Sequence, residues 1–471
     1  MKIDNMTYQL KLLLFTTICV INLVSTNTIA SPDTQSETLR KEVHVSIGER
    51  PKQKFMGFGA SQPTDQNRLF THYGADRVKK ISDRVYGDLG MNWVRLWVHS
   101  GAKYGVAWMK YQFYKSYFNN GYIDILKSSG VTHFLLAPAR GEDKPDESME
   151  EYAIKLAQFI YDVYKERGIR IDVTGIANEP AGFSPEQIRD TVKFLRVNLD
   201  SLGMNHVEII APECASPDAC VVNAIKTIQA SPEVWSALRG VATHSYNMGA
   251  NYKVEELISD THKEYWMTEA GRGLPRIIDE EPGETAEASG VAARFLNDMN
   301  HSVTHWFWFI GMGHFDKHPN KDSGQVLARP SDKNGGIKFN TKYHYLKQLR
   351  TVFDLGAQFY SAVGDEEGRM NWGYGQKPAI TVSMAKNVDE TWAIASVNTT
   401  GIDDSRIANF FPSAIYNVSI KVPEEAANLM YKSFRSRPDG YIQSDTLMTD
   451  EYGNINFVLQ PHELITLRSI K

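Results

Sequence analysis

Two glutamates, Glu179 and Glu269, have the residue type and the setting for proton transfer or nucleophilic attack. Glu179 lies in segment 176–180 (IANEP) and Glu269 in segment 265–271 (YWMTEAG), so each follows an apolar, strand-like run. Carboxylates at the C-terminal ends of different strands in a strand–helix chain are typical of catalysis at the mouth of a barrel. A pair of carboxylates is also the minimal equipment for cleaving a glycosidic bond.

The strands that must position these glutamates are short apolar segments, each followed by a loop. Helical patterns separate them along the chain. Eight strand–helix units over residues 55–354 predict a (β/α)8 TIM barrel. The predicted strands are 55–60, 92–98, 132–139, 172–177, 207–212, 240–246, 264–268 and 303–310.

The helix starts carry their own signals. Ser148 and Glu151 form a capping box that predicts a helix over 150–167. The next helix is predicted to begin after Ser184, which is followed by Pro185 and then, two residues later, by Gln187. Further helices are predicted over 76–89, 284–300 and 341–353.

The C-terminal part of the chain differs from the barrel because its helical period disappears near residue 356. Alternating or apolar runs separated by Gly, Asn, Asp and Pro predict an antiparallel β-sandwich. A strand over 42–47 precedes the barrel and has no barrel partner, so we expect a side β-sandwich domain built from both termini. Its C-terminal strands are predicted at 379–384, 391–398, 416–422, 429–434, 455–459 and 464–469.

The N-terminus predicts export. Lys2 and Lys11 precede an apolar run over 12–24, and a small-residue cleavage site stands before Ser31. The apolar run is too short for a good membrane span. The expected organisation is a signal peptide (1–30), the first sandwich strand (31–54), the catalytic barrel (55–354) and the sandwich (355–471), in a secreted or periplasmic protein.

Composition and cysteine content limit the class of protein to which the chain can belong. The 471-residue chain has a net charge of −5, which argues against a nucleic-acid partner. Once the signal is removed, Cys214 and Cys220 remain, six residues apart; a disulfide and a free pair are both consistent with the sequence. Neither these cysteines nor the loop residues His314, Asp316 and His318 match a closed metal site, so no metal or cofactor is expected.

The chain resembles the retaining glycosidases of clan A, and most of all glycoside hydrolase family 30. The similarity covers nearly the whole mature chain. The motifs that carry it are 57–61 (GFGAS) with Asp65 behind it, 178–180 (NEP), 266–269 (WMTE) and the closing segment 460–467 (QPHELITL). The opening run departs from the family's usual double-glycine pattern, which leaves the subfamily and the substrate open.

The resemblance implies roles for the site residues. Glu179 is the expected acid/base and Glu269 the expected nucleophile, and Asp65 is an expected substrate-binding residue. A neighbouring carboxylate charge favours the protonated form of an acid, in keeping with that order. Asn178 is expected to bind the sugar 2-hydroxyl; the alternative is a strand-end cap.

Charged and aromatic residues at other strand ends complete the predicted site. Arg95 is a charge inside an apolar strand, expected to pair with Glu269 or to form a structural ion pair lower in the barrel. His244 and Tyr246 alternate on the sixth strand and so point the same way. The resemblance implies that Tyr246 donates a hydrogen bond to the nucleophile, whereas both residues could instead be core packing.

Two further residues are candidates for substrate contact. Trp306 and Trp308 share one face of the eighth strand, and we expect Trp308 to provide a floor for the sugar, with core packing as the alternative. Arg272, between two glycines just after the nucleophile, could bind an acidic group on the substrate or be a solvated loop residue.

These observations predict a secreted retaining β-glycoside hydrolase with a carbohydrate substrate. One alternative is a non-catalytic carbohydrate-binding barrel, against which the two glutamates with Asn178 and Tyr246 argue. Another is a metal-dependent hydrolase, which would need ligands that the strand ends do not supply. The resemblance allows β-1,6-glucan, β-1,6-galactan, xylan, β-xyloside, β-fucoside and glucosylceramide as substrates.

Overall fold

The structure is a computed structural model of the chain. It describes residues 39–63, 73–99, 118, 121–139, 147–180, 182–246, 248–271, 283–313, 325–331, 336–364, 378–401, 412–437 and 442–470. These residues belong to one compact unit that spans Thr38–Lys471. The predicted signal peptide lies outside the described residues.

A closed barrel of eight parallel strands forms the first architectural layer, as the sequence predicted. A long strand, β1 (Leu39–Lys54), precedes it. The barrel strands are β2 (Gly57–Pro63), β3 (Trp93–His99), β4 (His133–Ala139), β5 (Val173–Thr174), β6 (Glu208–Cys214), β7 (Leu238–Ser245), β8 (Glu264–Ala270) and β9 (His305–Trp308).

Helices surround the barrel, and the predicted capping boxes open two of them. The side chain of Ser148 accepts from the backbone of Glu151, and Ser184 accepts from Gln187, each with the reciprocal bond that completes the box. The described helices are α1 (Ala75–Ser82), α2 (Tyr122–Ser128), α3 (Met149–Arg167), α4 (Pro185–Ser201), α5 (Ala219–Gln229), α6 (Pro232–Ala237), α7 (Tyr252–Ile258), α8 (Gly283–Asn300) and α9 (Thr341–Val352). A π-helical turn, Asp83–Gly87, extends α1.

The interior of the barrel is packed with side chains from alternate strand positions. One buried residue from each of β3 to β9 enters this layer: Trp93, Leu135, Val173, Ile210, Ala242, Trp266 and Phe307. The remaining barrel strand, β2, contributes Gly59, where a methyl group would lie 2.8 Å from the Phe307 ring. Large aromatic rings therefore require a glycine opposite them, and the filled layer supports the strand ends above it.

The second layer is a nine-stranded, mostly antiparallel sheet. A small pair, β10 (Ala328–Pro330) and β11 (Ile337–Phe339), lies before it in the chain. The strands of the large sheet, besides β1, are β12 (Gln358–Gly364), β13 (Ile380–Lys386), β14 (Trp392–Asn398), β15 (Ala414–Lys421), β16 (Met430–Ser436), β17 (Ile442–Met448), β18 (Asn454–Leu459) and β19 (Leu464–Ser469).

Strand β1 ties the two ends of the chain together. It lies between β12, to which it is antiparallel, and β15, to which it is parallel. Residues from strands near both ends of the sheet, among them Val45, Tyr431 and Phe457, pack into one buried cluster. The sheet therefore curves around a single core in the manner of the predicted sandwich.

Hydrogen bonds from side-chain amides join the helices of the barrel to this sheet. The amide of Asn300 at the end of α8 donates to the carbonyl of Val382 at 2.8 Å. The amide of Gln348 on α9 donates to the carbonyl of Phe434 at 3.0 Å. Across the described residues, no helix combines the length and hydrophobicity needed to cross a membrane.

Candidate active site

The two catalytic candidates lie at the barrel mouth. Glu179 follows β5 with a φ of 44°, a left-handed conformation that is uncommon for a residue with a side chain and that is enriched at functional sites. Glu269 lies near the end of β8. One carboxylate oxygen of Glu179, one of Glu269 and one ring nitrogen of His244 all lie within 4.8 Å of one another.

A β-bulge turns Glu269 into the site. In the pairing of β7 with β8, Thr243 faces Met267 whereas His244 faces Glu269, so Thr268 is an extra residue. An extra residue in one strand re-aims the side chains that follow it. Glu269 consequently shares the inward face with His244.

The Glu269 carboxylate is held from three sides. Its Oε1 accepts a hydrogen bond from Arg95, and the two groups form a buried ion pair. Its Oε2 accepts a 2.5 Å hydrogen bond from the hydroxyl of Tyr246 and lies 3.5 Å from Nδ1 of His244. The first two of these contacts were expected from the sequence.

These partners set the protonation state of the nucleophile candidate. Burial alone would raise the pKa of Glu269, but the charges of His244 and Arg95 and the bond from Tyr246 outweigh it, so this pKa lies below the usual value. Burial and the charge of Glu269 raise the pKa of Tyr246 well above normal. The tyrosine therefore remains a hydrogen-bond donor to an ionised carboxylate.

Glu179 has a more open environment. Its side chain is 38% exposed, whereas that of Glu269 is 4% exposed. Its Oε1 lies 2.9 Å from Nδ1 of His244, so the histidine faces both carboxylates. The two carboxylates thus have different environments, one buried and paired with a cation and the other more exposed, and different environments are what allow two carboxylates to take different roles.

Asn178 lies next to Glu179 and is fixed by the same arginine. Its Oδ1 accepts a 2.7 Å hydrogen bond from Arg95. Because the amide oxygen is engaged, the amide nitrogen is the group that Asn178 can offer to a substrate hydroxyl.

A third carboxylate, which was not predicted from the sequence, contacts these residues. Glu213 is fully buried, and its Oε1 lies 3.3 Å from Nη2 of Arg95. Its backbone carbonyl accepts the N–H of Glu179 at 3.1 Å. The signal that could have revealed it is a glutamate directly after the predicted fifth strand.

The eighth strand corrects one expectation. Trp308 is 1% exposed, packs among the residues between the barrel and its helices, and donates from its indole to the carbonyl of Gln325 at 2.6 Å. It therefore cannot provide the sugar floor. The predicted alternation is right, but the other face of the strand points inward, so Phe307 enters the barrel core and Phe309 lies above it.

The aromatic group beside the two catalytic candidates includes Phe309, Tyr246 and Trp97. The centroid of the Phe309 ring lies 5.8 Å from that of Trp97 and 6.3 Å from that of Tyr246, and both pairs are edge to face. Trp97 is half-buried and stands two residues after Arg95, so both project from the same face of β3. Trp97 is the better candidate for a sugar-stacking surface.

Helix α8 holds the segment that carries Tyr246. Arg294 donates to the hydroxyl of Ser245 at 2.5 Å and to the carbonyl of Tyr246 at 2.6 Å. Burial lowers the pKa of Arg294 to about 10, so it stays charged at neutral pH. Asp298, on the same helix, accepts the backbone N–H of Ala250 at 2.8 Å.

Three predicted features cannot be placed. Asp65, Arg272 and the loop cluster His314, Asp316 and His318 lie outside the described residues. Within the described part of the chain, Glu179, His244 and Glu269 are the group whose ligand atoms could close on a metal ion. Arg95 and Tyr246 already engage the Glu269 oxygens, and the guanidinium charge disfavours a cation there.

Comparison with known proteins bears on the fold. No protein-family model matches the sequence, and no curated protein sequence matches it. The catalytic domain of the family 30 xylanase C from Talaromyces cellulolyticus superposes with a TM-score of 0.65 and 13% identity, over 91% of this chain and 100% of that one. The family 30 subfamily 8 xylanase from Clostridium acetobutylicum gives 0.61 and 14%, over 91% and 100%.

An endo-β-1,6-glucanase also superposes, with a TM-score of 0.59 and 16% identity, over 91% of this chain and 94% of that one. At these identities the likeness establishes the fold. The chain has the barrel-and-sandwich fold of the clan A glycoside hydrolases of family 30, which is the fold that the sequence resemblance predicted.

Proposed function

We propose that the protein is a secreted retaining β-glycoside hydrolase, with Glu269 as nucleophile and Glu179 as acid/base. The observation that carries the proposal is the approach of the two carboxylates, whose nearest oxygens lie within 4.8 Å. Retaining enzymes hold their carboxyl groups about 5–5.5 Å apart, whereas inverting enzymes need about 6.5–9.5 Å to admit a water molecule.

The geometry supports a double displacement. Glu269, ionised and held by Arg95 and Tyr246, attacks the anomeric carbon while Glu179 protonates the leaving oxygen, which gives a covalent glycosyl–enzyme. Glu179 then takes a proton from water, and that water displaces Glu269 from the anomeric carbon. The two displacements together restore the starting configuration.

The fold supports a β-linked glycan as the substrate class, because the structural neighbours include xylanases and an endo-β-1,6-glucanase. Export is supported by the signal-like N-terminus and by the disulfide between Cys214 and Cys220, since disulfides persist in oxidising compartments.

The test begins with a panel of neutral and acidic β-glycans and product analysis. NMR spectroscopy of the first product from an active substrate should show the β configuration before it mutarotates. An α-configured first product would overturn the retaining mechanism. No cleavage of any glycan or aryl β-glycoside would instead favour a carbohydrate-binding barrel.

Two variants separate the roles of the carboxylates. Glu269→Gln should abolish the covalent intermediate for every substrate. Glu179→Ala should lose far less activity on a nitrophenyl glycoside, which needs no proton donor, and added azide should speed turnover and yield a β-glycosyl azide. An α-glycosyl azide from the Glu179 variant would mean that the two roles are exchanged.

A further inference from the structure

Glu213 is built into the site by an irregularity in its strand. Between Pro212 and Cys214 the pairing of β6 with β7 shifts, and Glu213 is the residue left over. Its φ of 61° is left-handed, a strained conformation for a residue with a side chain. The strain turns the carboxylate into the barrel, where it is fully buried.

Two contacts connect Glu213 to the two proposed catalytic residues. Its backbone carbonyl accepts the N–H of Glu179 at 3.1 Å, which fixes the strained backbone of the acid/base. Its Oε1 lies 3.3 Å from Nη2 of Arg95, and Nη1 of that guanidinium bonds Glu269. The proposed acid/base and nucleophile are therefore connected through Glu213 and Arg95.

The neighbouring strand leaves room for this carboxylate. A methyl group on Gly175 would lie 1.7 Å from Oε2 of Glu213, so only glycine fits there without displacing the acid. That oxygen finds no hydrogen-bond partner among the described residues. Burying a carboxylate with incomplete hydrogen bonding is costly, and a purely structural position would be filled more stably by an apolar side chain.

The charge of Glu213 acts on Arg95. Burial alone would lower the pKa of this arginine, but the charges of Glu269 and Glu213 raise it. Because two carboxylates lie beside it, the positive charge of Arg95 is shared between Glu269 and Glu213. It therefore does not fully neutralise the charge of Glu269. The other titratable groups of the described chain at this place are Glu179, His244 and Tyr246.

We propose that Glu213 is a positioning residue for the proposed hydrolysis, which orders the acid/base through its backbone and tunes the nucleophile through Arg95. The inference rests on the proposed function. In the absence of Glu213's charge, Arg95 would pair with Glu269 alone and make it a weaker nucleophile.

The first test is Glu213→Gln, which keeps the size of the side chain and removes its charge. We expect kcat to fall by about 10- to 100-fold, since small errors of placement in an active site cost this much. KM should change little, and the acid limb of the pH profile of kcat/KM should move to lower pH, because a negative charge near Glu269 has been removed.

Glu208→Gln is the matched control, because Glu208 is exposed at the opposite end of the same strand. It should leave kcat and the pH profile unchanged. An unchanged kcat in Glu213→Gln, or a loss of kcat without movement of the acid limb, would show that Glu213 serves packing alone and would overturn the proposal.

Gly175→Ala provides a second route if Glu213→Gln fails to fold. It keeps every charge but displaces the Glu213 carboxylate, so kcat should fall with KM nearly constant. A fully active Gly175→Ala enzyme would also overturn the proposal.

A measurement without substrate separates this proposal from the proposed function. Carbon-13 NMR of the labelled glutamate carboxyls, with Glu269→Gln as the assignment control, reports the titration of Glu269 directly. If Glu213→Gln lowers the pH midpoint of the Glu269 titration, the coupling between Glu213 and Glu269 exists even when no glycan is cleaved. If the titration does not move, the coupling is absent even in an active glycosidase.

Discussion

The hydroxyl of Tyr246 donates a 2.5 Å hydrogen bond to Oε2 of Glu269, and the backbone carbonyl of the same tyrosine accepts from the buried Arg294. The donor to the proposed nucleophile is thus itself anchored from helix α8. A donor held in place favours the ionised carboxylate, because it cannot turn away when the charge is present.

Tyr246→Phe should weaken the proposed enzyme and change its pH dependence. The lost bond lowers the pKa of Glu269 in the wild type, so its removal raises that pKa and moves the acid limb of kcat/KM to higher pH. Hydrogen bonds to charged groups contribute about 1.5–3 kcal/mol, which corresponds to a loss of about 10- to 100-fold in kcat/KM. Steady-state kinetics between pH 3 and pH 8 measure both effects.

Tyr252→Phe is the control for this change, because Tyr252 is 51% exposed on the surface. It should be indistinguishable from the wild type. An acid limb that stays in place in Tyr246→Phe would show that the tyrosine does not set the ionisation of Glu269.

Substitution of Trp97 should affect KM, whereas substitution of Trp308 should affect stability. Trp97→Leu removes a half-buried aromatic surface near the proposed catalytic pair, so KM should rise by about 3- to 10-fold, as expected for one aromatic contact. Trp308→Phe leaves the carbonyl of Gln325 without its indole donor, so the free energy of unfolding should fall by about 1–3 kcal/mol with KM unchanged. Kinetics and urea unfolding on both variants decide between these roles.

The sequence predicted the barrel and the pair of glutamates because strand spacing and helix caps are local signals. It also pointed to Arg95, whose charge in an apolar strand demanded a partner. Glu213 was not predicted because its orientation depends on the register between β6 and β7, and the sequence of one strand does not reveal that register. The inward face of β9 likewise depends on what the opposite strands place in the barrel.

In the sandwich, two strands escaped prediction for a related reason. The segment of β17 has the sequence IQSDTLM, which lacks a regular alternation of polar and apolar residues, and the strand lies at the edge of the sheet. The β12 segment follows the barrel closely, and its burial pattern does not alternate regularly. Pairing with β1, far away in the chain, is what makes β12 a strand.

The disulfide between Cys214 and Cys220 joins the end of β6 to the start of α5. A crosslink of this short span is worth about 2 kcal/mol of stability through the unfolded chain. Replacing both cysteines by alanine should lower the free energy of unfolding by about that amount, as measured by urea titration. Thiol titration of the denatured, unreduced wild type should find both cysteines oxidised, whereas two reactive thiols would contradict the crosslink.

Glu255 should make the stability of the fold depend on acidity. It pairs with Lys52 of β1 and accepts a 2.6 Å hydrogen bond from Ser302, so it links α7, β1 and the end of α8. Burial would raise its pKa, but bonds from His301 and Ser302 and the charge of Lys52 lower it to about 2. A carboxylate whose pKa is lower in the folded than in the unfolded protein stabilises the fold at pH values above the unfolded pKa. This stabilisation disappears as the pH falls towards the folded pKa.

Glu255→Gln should therefore lower the free energy of unfolding at pH 7 by about 2–3 kcal/mol, which is less than the roughly 3.4 kcal/mol of the full shift from 4.5 to about 2 because the side chain is partly exposed. The difference from the wild type should shrink as the pH is lowered from 4.5 towards 2, because the unfolded chain then binds a proton that the folded chain resists. Urea unfolding at pH 7, pH 4 and pH 3 measures this trend. Glu256→Gln, a change at the exposed neighbouring residue, should have little effect at any pH. A destabilisation by Glu255→Gln that is the same at all three pH values would mean that Glu255 contributes packing and not its charge.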